Sequence, residues 1–369
     1  MGLSICGSLL ETAGVAHLPV DRVGGESWRV RGGHPGAAGE KAGRWQAGWH
    51  GPAGRAWLAL VLVLALGLVF PADGAFHQWA THRDALRQSS VYGILACGLT
   101  VVILSGGIDL SVGSVLALVA VVTARLAIHL GWPAWLVVTT ALAVGALLGG
   151  VNGWLTARLG LQPFIATLAT MVFARGLAKW SSGGMKVSTA VPEPDGSFRY
   201  LEVPALFRWI DTRVLGGNLS VVTILFLACA VLCGMLLGRH AWGRWWSAIG
   251  GNEEAARRSG VPVVRMKAGA YVLSGLLAAV AGICQAAQEQ QGDPETGAGY
   301  ELIAIAMVVM GGTKLTGGEG GIGRTLLGVL TVGYLEKILS IHAVPESGRL
   351  MLMGVLIVLA VLTQGLGRR

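Results

Sequence analysis

The stretch "GGIDLSVGS", Gly106–Ser114, lies between two strongly apolar runs, "VYGILACGLTVVILS" (91–105) and "VLALVAVV" (115–122). An aspartate, a glycine pair and two serines inside otherwise apolar sequence mark a place where a membrane helix is interrupted. The stretch has a twin. "GGIDLSVG" (106–113) and "GGTKLTGG" (311–318) both read Gly-Gly-x-charge-Leu-hydroxyl-x-Gly, and each follows a short apolar half-span. Backbone that leaves the helix at membrane depth must be buried in protein or line water, and glycine permits the close approach and positive φ of such a break. Gly106, Gly107, Gly311 and Gly312 are therefore the expected helix-break glycines. Short, Gly-interrupted helices at matching places of an internal repeat point to a binding or pivot region. Asp109 stands where the next helix opens, and a carboxylate there meets free N–H groups and the positive end of the helix dipole. One reading of Asp109 is thus a helix cap. The other is a direct role in a pathway, the default for an ionisable group inside a membrane. A pairing of Asp109 with Lys314 across the repeat is a further arrangement that the sequence allows.

The surrounding composition fits a membrane. The 369 residues are 53% hydrophobic and 13% charged, against a charged fraction of about 25% in soluble domains. A bilayer core takes about 20 apolar residues per helix. Ten spans are expected, at 56–72, 91–105, 112–130, 134–156, 161–180, 219–238, 268–288, 300–312, 323–341 and 349–366. Two of them, 91–105 and 300–312, are too short to cross alone. The fold class is an all-α integral membrane protein of about ten helices, two of them short and Gly-broken, with an internal repeat, and its first partner is the lipid bilayer. Tryptophans near many span ends (Trp57, Trp132, Trp135, Trp154, Trp180, Trp242, Trp245, Trp246) match interfacial aromatics. Residues 1–54, Gly-rich and basic with no apolar periodicity, read as a disordered tail, and 55–369 as the membrane domain. With the N-terminus inside, 17 Lys/Arg fall on the inner side and 8 on the outer, which places both termini in the cytoplasm by the positive-inside rule. The net charge of +8 is read as this topology, not as nucleic-acid binding. The five cysteines have no metal or redox spacing.

Residues 181–218 form the expected external loop and 239–267 the sizeable inner one. The inner loop carries "NEEAARRSGV": Asn252 can cap a short helix with Glu253 and Glu254 in its first turn and Arg257 and Arg258 in its last, stopped by Gly260 before Pro262. With little apolar content, such a helix needs a partner to dock on. "GEGGIGRT" (318–325) matches a phosphate-binding loop except that Arg324 replaces the required Lys, and apolar spans flank it. A tight loop between helices is the better reading.

Glu254-Ala255-Ala256, three residues and Gly260 resemble the E-A-A-x-x-x-G signature of ATP-binding-cassette (ABC) importer permeases. "SGGIDLSVGS" (105–114), "QPFIATLATMVFARGLA" (162–178), "GNEEAARRSGV" (251–261) and "GAGYELIAIAMVVMGGTKLTGGEGGIGRTLLG" (297–328) together are similar to permeases of ribose/xylose-type sugar importers, from about Arg83 to the C-terminus. The resemblance implies a multi-pass subunit in a bacterial inner membrane. It also implies a second copy of the chain, a cytoplasmic ATPase that binds the ATP and magnesium, and a periplasmic or extracellular sugar-binding protein. This chain would itself carry no cofactor, no metal and no catalytic residue. Asn252, Glu253, Glu254, Ala255, Arg257, Ser259 and Gly260 are then the coupling candidates. For the pathway, hydrogen-bonding side chains and an aromatic face suit a sugar, and they nominate Asp109, Ser111, Asn152, Gln162, Phe164, Thr167, Thr170 and Glu301. Thr167 and Thr170, three apart, can share a helix face. Arg175 reads as snorkelling to the outer interface, and Glu336 with Lys337 as a helix-end pair. Rival readings keep the machinery with another cargo (nucleosides, amino acids, furanone signals) or make the chain an ion-coupled secondary transporter. The second rival calls for a deep cluster of carboxylates that the spans lack.

Overall fold

Long apolar runs without a buried proline leave the backbone only its internal hydrogen bonds to satisfy it, and in this chain they become helices. The computed structural model describes residues 51–193 and 195–366; the expected tail lies almost wholly outside them. Helix α1 (Pro52–Val69) and a single 3₁₀ turn lead into α2 (Trp79–Leu104). After the first break comes α3 (Val112–Ala124), continued by a π-helical turn to His129. Then follow α4 (Ala134–Ala157) and α5 (Pro163–Ser182). The segment beyond holds two small antiparallel hairpins, β1–β2 (Ala190–Pro192, Phe198–Tyr200) and β3–β4 (Arg213–Val214, Leu219–Ser220), with α6 (Ala205–Asp211) between them. Helices α7 (Val221–Gly238), α8 (Ala241–Gly251), α9 (Glu253–Arg258) and α10 (Val263–Glu289) come next. The chain ends with α11 (Tyr300–Met310), α12 (Ile322–Ile341) and α13 (Glu346–Leu366).

Every expected span falls on a helix, but the boundaries differ in instructive ways. The stretch 91–105 is not a half-span. It is the apolar part of the 26-residue α2, about 39 Å long at 1.5 Å per residue. The polar first half, "WATHRDALRQSS", is invisible to hydropathy, and its charges are paired with residues of the 211–217 stretch. Arg87 pairs with Asp211, Asp84 with Arg213 at 2.8 Å, and Arg83 donates to the Gly217 carbonyl at 3.2 Å. The second expected half-span is short as anticipated, at 11 residues. By length and composition five helices can cross a membrane: α2, α3 with its π turn, α4, α7 and α10. The tail boundary also shifts, since Pro52–Gly54 already belong to α1.

Helix α10 is the axis of the bundle, packed by α2, α3 and α4. Small residues make that packing close. A Cβ on Gly149 would strike the Tyr271 carbonyl, one on Gly275 the Gly145 carbonyl, and one on Gly153 would stand 2.7 Å from the Ala268 Cα. The spacing Gly145-Gly149-Gly153 is the four-residue repeat through which membrane helices approach each other. The outward faces of α1, α4, α5, α7 and α13 instead expose large apolar side chains, among them Leu62, Leu147, Val172, Leu232 and Val358, as a lipid-facing surface does.

Candidate functional site

Both Gly pairs turn out to be helix stops of one kind. After α2, the Gly107 N–H bonds back to the Val102 carbonyl, and Gly106 takes φ +80°. After α11, the Thr313 N–H bonds to the Val308 carbonyl, and Gly312 takes φ +87°. Each is a Schellman-type cap, whose left-handed residue glycine fills without Cβ strain. The left-handed glycine is the first of one pair and the second of the other, so the twin motifs are offset by one residue in space.

Asp109 is 1% exposed. Its Oδ1 accepts from the Ser111 N–H at 2.9 Å and the Ser111 hydroxyl at 2.6 Å, and its Oδ2 from the Ser274 hydroxyl at 2.8 Å. Ser111 Oγ in turn accepts from Asn152 Nδ2 at 2.8 Å. Ser274 stands near the middle of α10, so Asp109 lies at mid-height of the bundle. The carboxylate thus takes up the N–H of Ser111, the residue that opens α3, whose own side chain makes no cap bond. It does not pair with Lys314, which bonds Glu319 at 2.6 Å. Instead it ties the first break to α10 directly and to α4 through Ser111 and Asn152. Thr167 joins the cluster by donating to the Ile108 carbonyl at 3.4 Å, and Thr170 is buried on the same face of α5. Glu301 is half-buried, and a Cβ on Gly113 would run into its carboxylate. Gln162 and Phe164 stand apart from the cluster, exposed on the outside of α5. Arg175 does not snorkel. Its Nη1 donates to the carbonyls of Pro294 and Thr296, both at 2.6 Å, and pins the 290–299 loop.

The 239–267 loop contains the expected short helix. Asn252 Oδ1 accepts from the Ala255 N–H at 2.9 Å, Glu253 pairs with Arg257 at 2.9 Å, and Glu254 with Arg258 at 3.0 Å. Ser259 donates to the Ala255 carbonyl, and Gly260 at φ +82° ends the turn. The helix is not wholly without a dock of its own. Ala256 is 5% exposed and packs with Trp246, Ile249, Val263, Met266 and Tyr271. Lys267 on α10 reaches Glu253 at 2.9 Å. The remaining face, with Glu254, Ala255, Arg257 and Arg258, is exposed. Sequence reasoning missed α8, whose three tryptophans read as interfacial markers. Trp246 is in fact buried, with its indole N–H on the Met266 carbonyl at 2.7 Å.

The three segments that the sequence singled out meet. The Gly318 N–H donates to the Leu104 carbonyl at 3.1 Å, joining the second break to the end of α2. Gly250, at the end of α8, lies against both: a Cβ there would strike the Leu104 carbonyl and come within 2.5 Å of the Gly318 N. A Cβ on Gly317 would be 2.9 Å from the Gly250 Cα and 3.0 Å from the Gly106 Cα. Two residues after Gly250, Asn252 opens α9. "GEGGIGRT" is the linker from this junction into α12, with helices on both sides.

Also missed was a cavity of about 280 Å³ between α2, α10, α11, α12 and α13. Its walls include Tyr92, Tyr300, Glu336 and Arg349. Glu336 pairs across to Arg349 at 3.5 Å, so the helix-end pairing with Lys337 is set aside. Among the described residues, no group of three or more His, Cys, Asp or Glu is placed to hold a metal.

The sequence is also similar to those of known proteins. The chain is 38% identical to the ribose import permease protein RbsC of Escherichia coli (strain K12) over 315 residues, covering 84% of this chain and 94% of that one. It is 40% identical to the L-arabinose transport system permease protein AraH of Escherichia coli (strain K12), covering 84% and 91%. It is 32% identical to the xylose transport system permease protein XylH of the same strain, covering 82% and 89%. No solved structure matches the chain. The family described as branched-chain amino acid transport system / permease component matches residues 83–361, which takes in both breaks, the buried Asp109 cluster and α9. The chain is a multi-pass membrane permease and belongs to that family.

Proposed function

We propose that the chain is the membrane-spanning permease subunit of an ABC importer that moves a monosaccharide, with ribose, arabinose and xylose as the first cargoes to try. The relatives' names support the cargo class. The observation that carries the mechanism is α9: a short helix braced by its own ion pairs, anchored on one side by Ala256 and Lys267, with its other side free. In this reading the free side receives a cytoplasmic ATPase, which binds ATP and magnesium and does the chemistry. A second copy of the chain completes the passage, and a periplasmic binding protein delivers the sugar. The ten expected spans build the membrane domain, with the short α11 crossing only together with the break that follows it, and both termini face the cytoplasm. The breaks, α9 and the Gly junction then share the inner end, while the paired segment 205–218 and the Arg175 clamp share the outer one.

The test is mild-detergent purification of the tagged chain from its own cells, with mass spectrometry of what accompanies it. The ATPase should be recovered with the wild type and lost with Glu254→Lys, whose inverted charge sits on the exposed face. Sugar uptake should fall with it, while the chain stays in the membrane. Normal uptake by Glu254→Lys would remove α9 from the mechanism.

A further inference from the structure

The cavity between α2, α10, α11, α12 and α13 was not among the sequence candidates, yet it has the chemistry of a ligand site. At about 280 Å³ it sits near the low end of the ~300–1,000 Å³ usual for small-molecule pockets. That suits a small solute. Tyr92 and Tyr300 pack against each other in its wall, ring centroids 4.4 Å apart and planes tilted by 48°. Gln288 Nε2 and Arg349 Nε are buried at its edge without a hydrogen-bond partner. Orphaned donors of this kind are costly and call for an occupant. Gln285 spends one amide hydrogen on Glu289 at 2.6 Å, which leaves its carbonyl as an acceptor. The one carboxylate and the one guanidinium, Glu336 and Arg349, face each other. The lining is therefore close to neutral, with donors, acceptors and an aromatic edge.

We infer that this cavity is a sugar-holding site within the permease itself, taking a neutral pentose-sized polyol by its hydroxyls. The inference rests on the permease reading above and deepens it. A hydroxyl both donates and accepts, so a polyol can serve Gln288 and Arg349 as donors and Glu336 and Gln285 as acceptors in one pose. An ion or a zwitterion has no unpaired counter-charge to meet. The walls come from the middle of α2, the last turns of α10, α11, the second half of α12 and the first turn of α13; in the orientation proposed above, this is the side from which a delivered sugar enters.

The experiment places a reporter thiol in the wall. Ser340, exposed and at the rim, becomes Ser340→Cys in the purified full chain. The rate of its modification by a hydrophilic methanethiosulfonate is followed by peptide mass. D-ribose, L-arabinose and D-xylose are added in turn, with sucrose and leucine as controls. At least one pentose should slow modification several-fold, saturating with concentration, while sucrose and leucine do not. Gln288→Leu in the same background should abolish the protection. Gln88→Cys, on the facing wall, repeats the measurement if Ser340→Cys does not fold. No protection by any pentose, equal protection by sucrose, or protection by leucine alone each overturns the site. Cellular pentose uptake by the wild-type chain, with its partner subunits present, separates the two readings. Sugar uptake without protection removes the cavity and leaves the permease; no sugar uptake removes the permease reading itself.

Discussion

At the scale of single residues, Glu253 shows how α9 is held and what the sequence could say about it. The i,i+4 pairs Glu253–Arg257 and Glu254–Arg258 and the Asn252 cap were all legible, because each is local. The tie from Lys267 was not, since only the turn at Gly260 brings that residue back. Partial burial works against the charged Glu253 carboxylate. The hydrogen bond and charge of Lys267, and then those of Arg257, outweigh it and hold the group below the ordinary glutamate range. The sign follows from linkage. A carboxyl whose folded pKa is depressed contributes stability above its unfolded value, near 4.3, and loses it as pH falls through the folded one. Lys267→Met should therefore lower the melting temperature by a constant increment at neutral pH. The gap to wild type should close as the pH drops below about 4.3. The effect is small, under ~1 kcal/mol, because the pair is partly solvated. A gap that persists unchanged into acid would mean that Lys267 acts through packing and not through charge.

At the scale of elements, the legible part of the fold was the set of apolar runs, and the illegible part was whatever the protein covers with itself. Hydropathy measures fitness for lipid. It placed α4 and α7, which face outward, almost to the residue, and it lost the first half of α2. There, half-buried charged side chains lie against α6 and β3 and carry their partners with them. The 181–218 segment reads as a loop in the sequence for the same reason, although Phe207 and Ile210 of α6 are core residues. The most extensively packed helix pair, α4 with α10, is announced by the four-residue glycine spacing in the sequence. That contact gives a sharp contrast between neighbours. Gly149→Val would drive side-chain atoms into the backbone of Tyr271 and Val272, whereas the neighbouring Gly150 meets only a Val272 methyl at 3.9 Å. Gly149→Val should abolish the monodisperse peak in detergent gel filtration, and Gly150→Ala should leave it intact. Overpacking elsewhere in a well-filled core costs about 1–3 kcal/mol, and here the rigid backbone cannot yield. If Gly149→Val elutes as wild type, close backbone approach is not what holds α4 on α10.

At the scale of the whole molecule, the two broken motifs and the inner loop were each visible in the sequence, while their meeting was not. Gly106, Gly250, Gly317 and Gly318 are far apart in the chain, and nothing in a glycine announces which other glycine it will touch. Their junction makes one mechanical object of three elements. The end of α8 lies in van der Waals contact with the end of α2 and with the loop into α12, and α9 begins two residues later. A force applied to α9 by a docked ATPase would therefore reach both Gly breaks through backbone alone. From the first break, Asp109 extends the connection to the middle of α10 by its bond to Ser274. Gly250→Ala tests the arrangement, because its methyl would occupy the space of the Leu104 carbonyl and the Gly318 N–H. Gly251→Ala, where a methyl meets nothing within 4 Å, is the control. Both chains should reach the membrane and recover the ATPase on purification. Gly250→Ala should retain ATP hydrolysis and lose most sugar uptake, while Gly251→Ala keeps both. Uptake by Gly250→Ala at the control's rate would mean that the two breaks move independently of α8, and the path from α9 to the repeat would have to run through α10 and Lys267 instead.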